Sequence, residues 1–446
     1  MGGDGRAVRL PASLRVLRHR NFRRVAIGTF VSSLGTWSSM VGIGWAARNI
    51  TDSPQAITLA FAAQFLPNLL FAPFGGLLAD RVDRRRLMIV GSIVMAVPPA
   101  AIGLLLSADL LTLQLLMALA FSSGVAASFT MPAGQALVPR LVPEGEVQLA
   151  ISLTSALMNS SRLVGSALAG VIISTFGTPM AFYWNAVSFL AVVLAWTLVR
   201  IAAPPATQDT ESFFLRLAGG LRYARRVPTV RNLLLLNIVM ALLIMQAPLL
   251  PVLVKDVLHA DVSTYALLQM GTGVGAVTGA LVAGQWTTDE RRRRVIAIGM
   301  LINAAAVIGI AFSRWVPVSV ALQAVFGVGF FTTSTITQSM IMVSTEDAYR
   351  GRVMALHTMA LAGMLPFNAV LAGFLASHLG TVSTIGGAGV LLVVYALWFT
   401  AFRLPGIGVD KLPDTDTEAD TDTEADTKTV AGPAAPAVLL PADPAT

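Results

Sequence analysis

The chain has 446 residues, of which 55% are hydrophobic and 12% are charged, and its mean hydropathy is +0.72. Soluble domains carry about 25% charged residues, so this composition excludes a water-soluble globular protein and predicts a polytopic helical membrane protein. The net charge of +7 would suggest a nucleic-acid partner in a soluble protein, but here the basic residues flank apolar runs, as topology requires, and we predict no such partner. Cysteine is absent, which excludes disulfides and thiolate metal sites.

A basic segment and six apolar runs make up the first part of the chain. Residues 1–24 contain seven arginines, and we predict a cytoplasmic basic arm that is partly an amphipathic helix on the membrane surface. Each following run has about 20 residues, enough to cross a bilayer core of about 30 Å at about 1.5 Å per residue. They predict an N-terminal six-helix half over 25–200, with spans at 25–47, 57–78, 87–106, 110–129, 148–176 and 181–199.

A polar linker leads from this half into a second one. Residues 201–231 contain five arginines, and the spacing of apolar and basic residues over 212–226 predicts a helix on the inner membrane face. Six further spans predict a C-terminal half over 232–403, at 232–254, 265–285, 295–313, 317–335, 353–379 and 382–402. The acidic repeats and Ala/Pro-rich end of residues 404–446 predict a disordered tail.

The distribution of basic residues predicts the orientation in the membrane. Nearly all arginines and lysines lie in the arm, in the links that follow even-numbered spans and in the tail, whereas the opposite face has little beyond Arg48, Lys255 and Arg314. Because basic loops stay in the cytoplasm, we expect both termini to be cytoplasmic. Arginine far outnumbers lysine, as in GC-rich bacterial genomes, so we expect a multi-pass protein of the bacterial cytoplasmic (inner) membrane.

The two halves are related in sequence. Residues 75–79 match residues 279–283, residues 135–138 match 338–341, and without a gap Ala169-Gly170 falls on Ala372-Gly373. Repeats with the same membrane orientation predict two pseudo-symmetric bundles around an axis along the membrane normal. The substrate site of such a protein lies between the bundles near mid-membrane.

The link between the second and third spans carries a specific pattern made of Gly76, Asp80, Arg81, Arg84 and Arg85. It resembles the signature loop of the major facilitator superfamily, with Asp83 where glycine is usual. The resemblance implies an all-α membrane protein with twelve transmembrane helices in two six-helix halves. It also implies a cytoplasmic gate in which the Asp80 carboxylate faces the N-terminus of the eleventh helix while Arg81 and Arg84 add ion pairs. A plain basic loop would explain the arginines but not the spacing of glycine and aspartate before them.

The fifth span contains a second pattern, Arg162-Leu163-Val164-Gly165-Ser166-Ala167-Leu168-Ala169-Gly170. It resembles the glycine-proline antiporter motif of drug exporters, with Ser166 at the usual proline position. A small-residue face for close helix packing, centred on Gly165, Ser166 and Gly170, would explain the same pattern. With the segments that flank the spans, the chain resembles the exporter branch of enterobactin-type siderophore exporters and macrolide-type drug:proton antiporters.

Arg162 is the strongest candidate for a site residue. A charge at that depth is expensive unless it faces a cavity or a partner, so we predict that it attracts anionic or strongly polar substrate groups. A packing role near the inner end of the span is the alternative. Six polar residues of the spans could line the same cavity, although helix–helix hydrogen bonds explain them equally well: Gln64, Asn68, Asn159, Asn185, Gln246 and Gln269.

The function predicted from these features is secondary-active export of an amphipathic small molecule, such as a siderophore, antibiotic or other drug, by alternating access. The resemblance implies protons as the coupling ion, and because no carboxylate lies deep in a predicted span, proton sensing would fall to Asp52, Asp80 or His357. A nutrient or sugar importer of the same fold is the alternative. No metal cluster, nucleophile triad or phosphate loop is present in the sequence, so we predict no enzyme activity, no catalytic residue and no cofactor. The expected partners are the small-molecule substrate, protons and the lipid bilayer around a monomer.

Overall fold

The computed structural model describes residues 12–199, 213–283 and 289–407, without the side chains of residues 12–14, 73, 77, 80, 213–217, 289 and 348. The predictions for the rest of the arm, for residues 201–212 and for the tail beyond residue 407 lie outside the described residues. The described part contains fifteen α-helices and no strand. They are α1 (Arg20–Ile50), α2 (Pro54–Arg81), α3 (Arg84–Ser107), α4 (Leu113–Leu137), α5 (Val147–Phe176), α6 (Thr178–Thr197), α7 (Phe213–Arg226), α8 (Pro228–Leu243), α9 (Gln246–Val252), α10 (Val262–Ala283), α11 (Asp289–Phe312), α12 (Val316–Val343), α13 (Asp347–Ala362), α14 (Leu365–Leu379) and α15 (Thr381–Phe402).

Twelve membrane-crossing units account for all of these helices except α7. In the described residues, eleven helical segments are long and apolar enough to span a bilayer, with α8–α9 and α13–α14 each counted as one segment. The twelfth, α1, has 31 residues and is more polar, since its buried positions include Ser32, Ser38 and Ser39. Apolar side chains such as Leu104 and Val187 point outwards, as a bilayer-facing surface requires.

Two of the predicted spans are interrupted. The seventh span breaks at Ile244–Met245, between α8 and α9, and then winds as a π-helix over Leu253–Val257. The eleventh breaks at Gly363–Met364, between α13 and α14. Proline contributes to both interruptions, because Pro248 and Pro366 lack the N–H that would bond to the preceding turn.

The same helix pairs pack together in both halves. In the first half α2 packs on α4, and α3 packs on α4 and α6; in the second half α10 packs on α12, and α11 packs on α12 and α15. The turns before the last helix of each half also match, because Gly177 and Gly380 have φ values of 85° and 84°. Only glycine adopts such a conformation without strain, so one turn geometry is used twice. The predicted internal repeat is therefore visible in the backbone.

Two seams join the halves, one between α2 and α14 and the other between α5 and α10. The largest apolar core crosses between the halves, since Val41 and Ala169 of the first half pack in one cluster with Leu249 and Tyr265 of the second. A site formed near these helices therefore receives side chains from both halves.

The linker helix α7 lies against the start of α13. Its Tyr223 ring stacks on Tyr349 with 4.7 Å between ring centroids, and the backbone N–H of Glu346 donates to the Tyr223 hydroxyl at 3.1 Å. Burial raises the pKa of the Tyr223 phenol. The side chains of Arg222, Arg225 and Arg226 are exposed on this helix. We call this end of the molecule the linker face and the other end the Arg48 face.

Candidate functional site

Arg162 lies near the middle of α5 and is bracketed by aromatic side chains from two other helices. Its guanidinium carbon is 4.8 Å from the ring centroid of Trp37 in α1 and 5.3 Å from that of Phe331 in α12. Both distances are within the range of cation–π interactions. Since α1 and α5 belong to the first half and α12 to the second, these three residues, which we call the arginine clamp, connect the two halves.

The charge of Arg162 has no anionic partner in the part of the chain that the structure describes. No described residue accepts a hydrogen bond from the Arg162 guanidinium or forms an ion pair with it, whereas the clamp rings lie close to it. An arginine at a helix centre costs about 2.5–3.5 kcal/mol on insertion scales, and one cation–π contact returns about 0.5–2 kcal/mol. The aromatic rings therefore offset part of the cost and leave the N–H groups available for an acceptor.

The small residues that follow Arg162 set the packing of α5 on both sides. A Cβ at Gly165 would lie 2.8 Å from the Trp37 Cβ, and the Ser38 hydroxyl donates to the Gly165 carbonyl at 2.9 Å. Gly165 thus lets α1 approach closely enough for Trp37 to reach Arg162. A Cβ at Gly170 would lie 2.7 Å from the Ala266 Cβ of α10, across the seam between the halves.

Ser166, the third small residue of this pattern, is fully buried, and its hydroxyl has no partner in the described part. The geometry of Gly165 and Gly170 supports the packing interpretation of the fifth-span pattern. That packing also builds the arginine clamp.

The described hydrogen bonds of Arg84 and Arg85 in the signature loop are made within the first half. The Nε and Nη2 atoms of Arg85 donate to the carbonyls of Trp196 and Thr197 at 2.8 and 2.9 Å, so Arg85 satisfies the C-terminal carbonyls of α6. Arg84 Nε donates to the Ala79 carbonyl at 3.0 Å. Asp83, at the departure from the usual motif, caps α3 by accepting from the backbone of Arg85 at 2.8 Å.

The gate implied by this loop stays a prediction. The side chain of Asp80 lies outside the described residues, although its backbone belongs to α2. Arg81 is exposed, and a Cβ at Gly76 would meet no atom within 4 Å.

No described hydrogen bond joins Arg162 to any of the six predicted polar candidates. Asn185 lies at the contact of α6 with α1, where a Cβ at Gly35 would be 2.9 Å from its Oδ1 atom. Gln246 is 1% exposed, at the break between α8 and α9, and both of its amide atoms lack partners in the described part. The others are spread over α2, α5 and α10: Gln64 with a buried, unpartnered Oε1 atom, Asn68 and Asn159 partly exposed, and Gln269 buried.

The two broken spans meet at a hydrogen bond. Asn368 of α14 donates from Nδ2 to the Leu242 carbonyl at the end of α8, at 2.7 Å. This bond satisfies a carbonyl that the break releases from the helix. His357 of α13 is 3% exposed, and its Nε2 atom has no partner in the described part.

The Arg48 face is held closed by contacts between the halves. The Arg48 side chain is 7% exposed and pairs with Asp52 of its own half and with Asp256 in the π-helical turn of the other half. Beside it, Lys255 Nζ donates to Asn49 Oδ1 at 3.1 Å, and the Trp45 ring stacks on that of Tyr265.

Sequence reasoning missed Asp256, Trp37 and Phe331 as site residues. The internal repeat carried a signal for Asp256, because Arg48 and Asp256 end the first spans of the two halves. No comparable signal identified the two aromatic residues, since aromatic side chains are abundant in the spans.

An apolar groove of about 770 Å³ lies along the seam between α2 and α14, where α4 also contributes to its lining. Aliphatic and aromatic side chains such as Leu66, Phe121 and Phe374 line it, with Gln55 at one end. Arg162 is not part of this groove, so the molecule offers a charged centre and a separate apolar surface.

Comparison with known proteins identifies the family to which this chain belongs. The profile of a family described as transmembrane secretion effectors matches residues 12–435. The chain belongs to this family of major facilitator transporters. It is a transporter and not an enzyme, and the predicted resemblance to the exporter branch of the superfamily is confirmed.

Several bacterial transporters are similar over most of the chain. The multidrug efflux pump Tap of Mycobacterium tuberculosis is 26% identical over 412 residues, which are 88% of this chain and 96% of Tap. The staphyloferrin A transporter of Staphylococcus aureus is 22% identical, covering 83% of this chain and 93% of that protein. Macrolide efflux protein A of Streptococcus pyogenes is 22% identical, covering 78% and 87%.

Among solved structures, a D-xylose-proton symporter superposes with a TM-score of 0.66 over 89% of this chain and 99% of the symporter, at 15% identity. At this identity the similarity concerns the fold alone. It confirms the predicted major facilitator architecture of this multi-pass membrane protein.

Proposed function

We propose that this transporter exports an amphipathic small molecule, of the siderophore, antibiotic or drug type, across the bacterial cytoplasmic membrane. The observation that carries the proposal is the position of Arg162, a charged side chain at mid-span between the two halves. Residues at that depth mark substrate pathways in membrane proteins. The names of the efflux relatives support the direction of transport, and the name of the staphyloferrin A transporter supports the class of cargo.

Alternating access would open the Arg48 face by separating Arg48 from Asp256. We propose protons as the coupling ion, with exchange at titratable groups near the membrane edges, since the described acidic residues lie at the ends of helices. His357 is the buried candidate, and Asp52, Asp80 and Asp256 are the carboxylates to test. The protein would act as a monomer.

Efflux from proteoliposomes with an imposed pH gradient tests export and coupling. Rhodamine 123 and fluorescein are suitable probes, because both are planar xanthene dyes and they carry opposite charges. Gradient-dependent movement of either dye out of the compartment that corresponds to the cytoplasm supports the proposal. Movement in the opposite direction would favour an importer. A transport rate that does not change with the pH gradient would contradict proton antiport.

The orientation has its own test, because a chain without cysteine accepts single reporter cysteines without background. We propose that the linker face is cytoplasmic. Thr178→Cys, at the Arg48 face, should react with an impermeant maleimide from outside the cell, and Arg222→Cys of α7 only after the cells are opened. The reversed pattern would overturn this orientation.

A further inference from the structure

Arg162 carries an unbalanced charge in the middle of the molecule. In the described residues its guanidinium has no hydrogen-bond or ion-pair partner, and it lies against the Trp37 and Phe331 rings. The Arg162 side chain is partly exposed, so water can reach the guanidinium. A guanidinium presents five N–H donors in a plane and binds carboxylates in a bidentate manner.

We propose that the arginine clamp binds a planar, anionic group of the substrate, such as an aromatic carboxylate, a phenolate or an enolate. This inference rests on the proposed transport function and names its substrate class. The negative group would bond to the free edge of Arg162. Its conjugated ring would continue the same plane and contact the faces of Trp37 and Phe331, which favour flat apolar partners.

The clamp also links binding to conformation. Trp37 and Arg162 belong to the first half, whereas Phe331 comes from α12 of the second half. Rocking of the halves would move Phe331 away from the other two residues, so the complete clamp exists only while this arrangement holds. A ligand that needs all three residues therefore stabilises this arrangement over the alternative one.

Binding of the two xanthene dyes to the purified full chain in nanodiscs tests the proposal, by fluorescence anisotropy. Fluorescein should bind the native protein, and Arg162→Gln should weaken it by about tenfold or more, because a charge-assisted bond is lost. Rhodamine 123 should not lose affinity. Arg162→Lys should recover part of the fluorescein affinity, since a point charge lacks the planar fork. Phe331→Leu should weaken fluorescein binding by about threefold or more.

Arg222→Gln is the matched control, because Arg222 is an exposed arginine on α7, remote from the clamp, and it should bind fluorescein like the native protein. Thermal unfolding shows whether each variant is folded. If Arg162→Gln does not fold, two other measurements decide instead. One is fluorescein binding by Phe331→Leu, and the other is displacement of fluorescein from the native protein by 2-naphthoate but not by the cation 2-naphthylmethylammonium. The proposal is overturned if native protein binds neither fluorescein nor 2-naphthoate. It is also overturned if folded Arg162→Gln binds them as tightly as native protein.

Failure of this inference and failure of the transport proposal give different results. Gradient-driven export of rhodamine 123 by a protein that does not bind anions would contradict the anionic substrate class and support the export proposal. Arg162-dependent binding of fluorescein, with no export of either dye, would support anion binding by the arginine clamp and contradict the export proposal.

Discussion

Arg48 of α1 and Asp256 of the π-helical turn after α9 form an ion pair that ties the two halves together at the Arg48 face. The same arginine also pairs with Asp52, but Asp52 is 94% exposed and belongs to the same half. One side chain thus has an ion pair within its half and another between the halves. The pair with Asp256 must break whenever this face opens.

We expect Asp256→Asn to increase opening of the Arg48 face, because it removes the charge that pairs with Arg48 across the halves. The measurement is the rate of maleimide labelling of Val41→Cys, a position that is fully buried in the apolar cluster that crosses between the halves. Labelling should be faster with Asp256→Asn than without it. Asp52→Asn is the matched control and should have a smaller effect, and equal acceleration by the two variants would contradict a special role for the inter-half pair.

Gly165→Ala should displace Trp37 and disturb the arginine clamp, because the added Cβ would lie 2.8 Å from the Trp37 Cβ and from the Leu34 carbonyl oxygen. Overpacking of this kind costs about 1–3 kcal/mol in stability. We expect a lower unfolding temperature together with weaker fluorescein binding. Gly387→Ala, where an added Cβ meets no atom within 4 Å, should leave both unchanged. Native-like behaviour of Gly165→Ala would show that the close approach of α1 is dispensable.

Arg85→Gln should destabilise the first half by about 1 kcal/mol, since it removes two charge-assisted bonds to carbonyls at the end of α6 in a partly exposed site. The matched variant Arg81→Gln removes an exposed arginine of the same loop and should leave the unfolding temperature nearly unchanged. Thermal unfolding in one detergent compares them directly. If Arg81→Gln proves the more destabilising, the structural role belongs to Arg81 instead.

Asp80→Asn should leave insertion and folding nearly intact and strongly reduce transport, because it removes the charge and keeps the shape of the side chain. The readout is initial efflux rate at matched expression, with thermal unfolding measured in parallel. Asp83→Asn serves as control, since an asparagine cap still accepts the backbone N–H bonds at the start of α3. Normal efflux by well-expressed Asp80→Asn protein would show that the loop only orients the chain in the membrane and has no role in gating.

The sequence alone determined the class of the protein and most of its architecture. Bilayer-length apolar runs can only be satisfied by helices, so composition and spacing were enough to predict twelve spans. The repeat predicted the pseudo-symmetry, and the matching turns at Gly177 and Gly380 show it in the backbone. The depth of Arg162 in its span followed from counting residues, because a helix rises by a fixed amount per residue.

The tertiary structure decided what those residues touch. Arg162 and Phe331 are far apart in the chain, as are Arg48 and Asp256, and they meet only because the two halves pack against each other. The hydrogen bond from Asn368 to the Leu242 carbonyl, beside the break at Ile244–Met245, likewise joins two spans. Hydropathy and helical period describe each span on its own. The rotation and docking of one span on another depend on the shapes of both surfaces, and a single stretch of sequence does not contain that information.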